Sequence, residues 1–206
     1  MKKLNNLVAD IYSALSPLTK GEALDVSEKD IDNFGEAVKE VVRHWATPKA
    51  RDKNTLRMSN IGKPSRQLWF DLKYKKGEQS DLDSSLPIKF LYGHLLEEVL
   101  LFLVKMSGHK IEDEQKEVEV NGVKGHIDCK IDGEVIDIKT ASGFAFNKFK
   151  NGTLREDDPF GYMAQLAGYE EAEGTMNGGF LVINKESGEL TLYQPEDLDK
   201  PYAPKV

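Results

Sequence analysis

The chain has 206 residues, of which 39% are hydrophobic and 31% charged, with a formal net charge of −7. That length suits one domain with a sizeable core, and no run approaches the roughly 18 apolar residues of a membrane span. Cys129 is the only cysteine, which excludes an internal disulfide and any multi-cysteine zinc or iron–sulfur centre. Met1–Asn6 lacks the apolar stretch of a signal peptide, so the expected setting is a reducing cytoplasm with no membrane partner.

Residues 4–15 and 28–45 read as helices, the second capped by Ser27 with Asp30 three residues on. Ile31, Phe34, Val38, Val41, Val42 and Trp45 recur there at helical spacing as a packing stripe. Residues 46–64 are basic and loop-like, 66–74 form a short helix after Pro64, and 77–87 form a loop. Residues 88–106 are the strongest helix, apolar nearly all round and therefore expected to be buried, with Glu97 and Glu98 in its middle. Strands follow at 114–120, 124–131 and 134–140, then a helix at 158–173 and a hairpin of 178–184 with 189–194. This order predicts an α/β fold: a central mixed sheet flanked by helices, with helices added at the N-terminus. The expected divisions are a helical extension with a basic linker at 1–56, a core at 57–194 and a surface tail at 195–206.

The overall acidity argues against non-specific coating of nucleic acid, but the charge is uneven. Between Arg43 and Lys76 there are ten Lys/Arg against Asp52 and Asp71, a local balance of +8. A basic block in an acidic protein is the footprint of a localised polyanion contact.

The chemistry concentrates around Asp132-Gly133, a strong signal for a two-residue hairpin between alternating runs. With those two residues as the loop, Cys129 faces Ile136, Asp128 faces Asp137 and His126 faces Lys139. Period-2 alternation places His126, Asp128, Lys130, Val135, Asp137 and Lys139 on one face, and Ile127, Cys129, Ile131, Ile136 and Ile138 on the core face. Opposed aspartates repel, and a divalent cation resolves the conflict. Lys139, two residues after Asp137, can orient or help deprotonate an attacking water and stabilise developing charge. His126 either contacts substrate or fills space.

Four strings in order, Gly93-x-x-x-Glu97, Gly125-His126-Ile127-Asp128, Asp137-Ile138-Lys139 and Gln165-Leu166-Ala167-Gly168-Tyr169, resemble the motifs of PD-(D/E)XK nucleases over roughly 57–184. The last is similar to the QxxxY motif of the RecB-like branch, which includes phage and CRISPR-associated exonucleases. The resemblance implies a restriction-endonuclease-like core and a DNA exonuclease dependent on one or two Mg²⁺ or Mn²⁺ ions. It also implies linear or single-stranded DNA ends as partner. An endonuclease with the same metal site, or a catalytically silent DNA- or protein-binding module, are the alternatives. Asp128 and Asp137 would ligate metal, joined by the carbonyl of Ile138 and by Glu97, for which Glu98 is a rival. Gln165 and Tyr169 lie one helical turn apart with Tyr162 on the same face, and the resemblance puts them beside the catalytic centre or the DNA backbone. The segment Ser59 to Phe70 is similar to one preceding the core in this branch. Its iron–sulfur cysteine is replaced near Pro64, so no cluster is expected, while Ser59 and Arg66 remain candidates to grip a phosphate. Trp69 and Phe70 either stack on bases or, as the favoured reading, lie in the core, and Cys129 is expected to be buried and inert.

Overall fold

The computed structural model describes residues 2–47, 55–73 and 83–196. Much of the basic stretch (Lys49, Arg51, Lys53, Lys75, Lys76), most of the 77–87 loop and the tail from 197 lie outside the described residues.

The helices are α1 (Leu7–Thr19), α2 (Glu28–Ala46), α3 (Ser65–Lys73), α4 (Ser85–Met106), α5 (Gly143–Lys150) and α6 (Tyr162–Glu173). The strands are β1 (Ile111–Glu112), β2 (Glu117–Val120), β3 (Val123–His126), β4 (Cys129–Ile131), β5 (Glu134–Ala141), β6 (Gly179–Asn184) and β7 (Leu190–Tyr193). Five strands form one sheet in the order β1-β4-β5-β6-β7, with β5 and β6 parallel and every other pair antiparallel. This is the expected mixed α/β sheet.

Both faces of the sheet are buried, so β6 is buried along its whole length and apolar up to Ile183. On one face Cys129, Ile131, Ile136, Ile138 and Leu181 pack with Leu7 and Ile11 of α1 and Leu100 and Val104 of α4. On the other, Val135, Ala141, Phe180 and Val182 pack with Phe146 and Phe149 of α5 and Met163 and Leu166 of α6. The N-terminal helix α1 is thus a layer of the sheet's own core. Outside it, α2 begins at the predicted cap, where the Asp30 N–H donates to Ser27 Oγ at 3.1 Å, and lies against α4 through Phe34 and Phe102.

The β4–β5 turn is as expected. Asp132 and Gly133 both have positive φ (52° and 93°), the signature of a type I′ hairpin turn. Cys129 pairs with Ile136, Lys130 with Val135 and Ile131 with Glu134.

Several expectations need correction. The strand expected at 124–131 is broken at Ile127 and Asp128: β3 pairs with β2 in a separate two-stranded sheet, and β4 alone joins β5. The break changes the side-chain phase, so Ile127 packs with Val135, not with Cys129. Val135 accordingly belongs to a core and not to an open face. Helix α4 is not buried throughout: Leu100, Leu101 and Val104 are, while Ile88, Phe90 and Tyr92 are exposed. The helix expected at 158–173 starts at Tyr162, because the Asp158 carboxylate accepts from the N–H groups of Tyr162 and Met163 and closes its first turn. Helix α5 was not foreseen.

Candidate active site

The β4–β5 ladder ends at Cys129–Ile136, one step short of Asp128 and Asp137. Instead of facing Asp137 across a ladder, Asp128 turns its carboxylate onto the next free backbone group, and the Ile138 N–H donates to its Oδ2 at 2.7 Å. In a strand the N–H and C=O of one residue point to the same side. The Ile138 carbonyl therefore looks into the same gap beside Asp128.

Asp137 and Lys139 follow Val135 on the α6 side of β5. Asp137 is buried, at 2% exposure. The Lys139 ammonium lies against its Oδ2 as an ion pair. A buried carboxylate is costly unless a cation stands beside it, and here one ammonium serves two carboxylates, Asp137 and Asp128. Burial and then the Asp137 charge push the Asp128 carboxyl well above its usual range, with Glu97 adding to the effect. Burial alone would lower Lys139, but Asp137 and Asp128 outweigh it and hold the ammonium above its ordinary value. Lys139 is therefore held as a cation here by the two carboxylates beside it.

Helix α6 forms the opposite wall. The Lys139 ammonium sits 4.9 Å from the Tyr162 ring centroid. Gln165 Nε2 donates to the Tyr169 hydroxyl at 3.0 Å. Burial raises Tyr169 to about 12, with Asp137 and Asp128 adding to the rise and Gln165 opposing it. The Tyr169 ring is wedged against Gly125: a Cβ at Gly125 would lie 2.7 Å from both Met58 Cβ and Tyr169 Cε1. The glycine of the Gly125-His126-Ile127-Asp128 string is thus required by the close approach of the helix that carries Gln165.

Glu97 projects from α4, half-buried, and Gln115 Nε2 donates to its Oε1 at 3.0 Å. The backbone N–H of the same Gln115 donates to the Asp128 carbonyl at 3.0 Å. Gln115 thus ties the two acidic residues together from a left-handed backbone conformation, φ 55°, that costs a non-glycine residue roughly 1–3 kcal/mol. Nothing in its sequence context marked it. Of the two candidate glutamates, Glu97 is the one whose charge acts on Asp128, whereas Glu98 feels Glu97, Glu114 and Lys105.

Asp128, Asp137, Ile138, Lys139, Tyr162, Gln165, Tyr169 and Glu97 therefore gather around the middle of β5. His126 does not join them. It belongs to β3, pairs with Glu117 and is exposed, correcting its expected place opposite Lys139. Ser59 and Arg66 are exposed on the Met58–Asn60 turn and on α3. That segment is held to α6, since a Cβ on Gly62 would fall 2.3 Å from the Gly161 Cα. Trp69 and Phe70 are exposed, not in the core, with Lys73 5.3 Å from the Trp69 ring and Arg66 6.0 Å from that of Phe70. Cys129 is fully buried, and burial raises its thiol well above the usual value.

Among the described residues no three His, Cys, Asp or Glu side chains converge closely enough to hold a metal by themselves. The donors that fit a hard cation are the carboxylates of Asp128 and Asp137 with the Ile138 carbonyl. Mg²⁺ keeps several waters and accepts so small a set. No helix among the described residues is long and apolar enough to cross a membrane.

No protein-family model and no curated protein matches this chain. Among solved structures it is similar to that of SSO0001, at 19% identity over 80% of this chain and 79% of the other, with a TM-score of 0.42.

Proposed function

We propose that the chain is a cytoplasmic Mg²⁺- or Mn²⁺-dependent deoxyribonuclease of the RecB-like PD-(D/E)XK group, acting as an exonuclease on linear DNA. The observation that carries this reading is the meeting of buried Asp137 and half-buried Asp128, two mutually repelling carboxylates, with the Lys139 ammonium in the middle of β5, faced by Gln165 and Tyr169.

Asp128, Asp137 and the Ile138 carbonyl would hold the cation. When bound, such an ion lowers the pKa of its water and neutralises charge on a phosphodiester. Lys139 places a positive charge beside Asp137, where it would stabilise the charge that builds on phosphoryl oxygens. The Tyr162 ring restrains that ammonium, and Glu97, held by Gln115, adds to the negative field that attracts the cation. Gln165 and Tyr169 form the substrate-side wall. The preference for exonuclease rests on the likeness to QxxxY.

Purified protein incubated with linear and with covalently closed circular DNA, with and without Mg²⁺, tests this reading. Mg²⁺-dependent loss of linear DNA alone is expected. Nicking of circles would convert the reading to an endonuclease, and no cleavage of either would leave a silent binding module.

A further inference from the structure

Phe160 is an exposed aromatic beside the proposed site that no motif marks. It is 65% exposed. Its backbone is nonetheless fixed on both sides. The Asp158 carboxylate accepts the Tyr162 N–H at 3.0 Å and the Met163 N–H at 2.9 Å. Gly161, φ 74°, is pressed so close to Gly62 that a Cβ there would lie 2.4 Å from the Gly62 Cα. The Phe160 ring stacks on Tyr162 with centroids 5.4 Å apart and planes at 28°. The Tyr162 ring is the one beneath the Lys139 ammonium. Ammonium, ring and ring thus form one continuous run from the acidic pair out to solvent. A second exposed ring, Phe144 at 77%, stands with the Lys148 ammonium 5.1 Å from its centroid, and Lys148 pairs with Asp157, the residue before Asp158.

Most exposed phenylalanines need no explanation. This one is held rigidly, one face stacked and the other open, one ring away from the cation that would face a scissile phosphate. Ordering such a ring in advance removes part of the entropy cost of stacking a ligand on it. A flat π-surface adjoining a phosphate site matches an unpaired nucleobase, since bases within a duplex offer no free face.

We propose that Phe160, stacked on Tyr162, receives an unpaired nucleobase adjoining the scissile phosphate, so that the substrate class of this site is single-stranded or frayed DNA ends. The inference rests on the nuclease reading of the site.

The test uses full-length protein carrying Asp137→Ala to block turnover, and single-stranded oligodeoxynucleotides with 2-aminopurine at one end or the other. Binding is expected to quench the fluorescence of one labelled end. Phe160→Ala added to Asp137→Ala should abolish that quenching and weaken single-strand affinity about tenfold, with blunt duplex affinity unchanged, and Phe160→Tyr should restore both. Unchanged quenching and affinity in the Phe160→Ala protein would overturn the stacking inference alone. Absence of metal-dependent cleavage by the unaltered chain, with quenching still lost in Phe160→Ala, would overturn the nuclease reading alone. Failure to bind any DNA would overturn both.

Discussion

Asp128 is held where its charge is disfavoured. Burial and the neighbouring Asp137 raise its carboxyl pKa, while the Ile138 N–H keeps one oxygen in place. A carboxyl with a raised folded pKa binds more protons folded than unfolded, so its contribution to stability is greatest below the unfolded value of 3.8 and declines as pH rises. Asparagine can still accept from Ile138 and carries no charge. The metal-free Asp128→Asn protein should therefore melt above the unaltered chain at neutral pH. About 1 kcal/mol of relief corresponds to roughly 2–4 °C at this chain length. The two melting curves should converge as pH falls toward ~4. A difference that is absent at neutral pH, or that grows on acidification, would contradict the assignment. Calorimetry across pH in the presence of a chelator measures it.

At the scale of elements, the β4–β5 hairpin was legible because its determinants are local. Asp132-Gly133 demands two positive φ values, and alternation sets the register from there. The break at Ile127 and Asp128 was not legible, because its cause is distant: Met58 and the Tyr169 ring occupy the space beside Gly125, and Ile127 turns into the core they share. The strand alternation reads straight through that position. Helix α5 has only eight residues and two buried anchors, Phe146 and Phe149, a pattern too short to stand out in isolation. The exposed half of α4 failed for a related reason: apolar composition all round predicts burial only where a neighbour exists to cover it. The Gly125 packing makes a direct prediction. Gly125→Ala should push Met58 and Tyr169 apart at a cost of about 1–3 kcal/mol, as overpacking does. Its melting temperature should fall, and the Gln165–Tyr169 wall should be displaced. A melting temperature equal to that of the unaltered chain would show that the helix can retreat freely.

At the scale of the whole molecule, an acidic chain needs a local positive approach if it is to meet DNA. Among the described residues part of the basic stretch is already engaged, Lys63 with Asp71 and Arg43 with Glu40. Arg66, on the α3 segment that follows the Gly62–Gly161 contact, is the cationic member of the two candidate phosphate contacts, Ser59 and Arg66. Arg66→Ala should weaken DNA binding uniformly across sequences and reduce the slope of log K against log salt by about 1. An unchanged slope would remove Arg66 from the interface. The central claim is that Asp128, Asp137 and Lys139 form a metal-dependent phosphodiesterase centre, and nucleotide release from linear DNA in Mg²⁺ tests it most directly. The unaltered chain should release nucleotides, a chelator should stop it, and Asp137→Ala and Lys139→Ala should each lose activity by a hundredfold or more, roughly the scale of removing an electrostatic catalytic group, with unchanged circular dichroism. Full activity in either variant, or activity indifferent to chelation, would contradict the account.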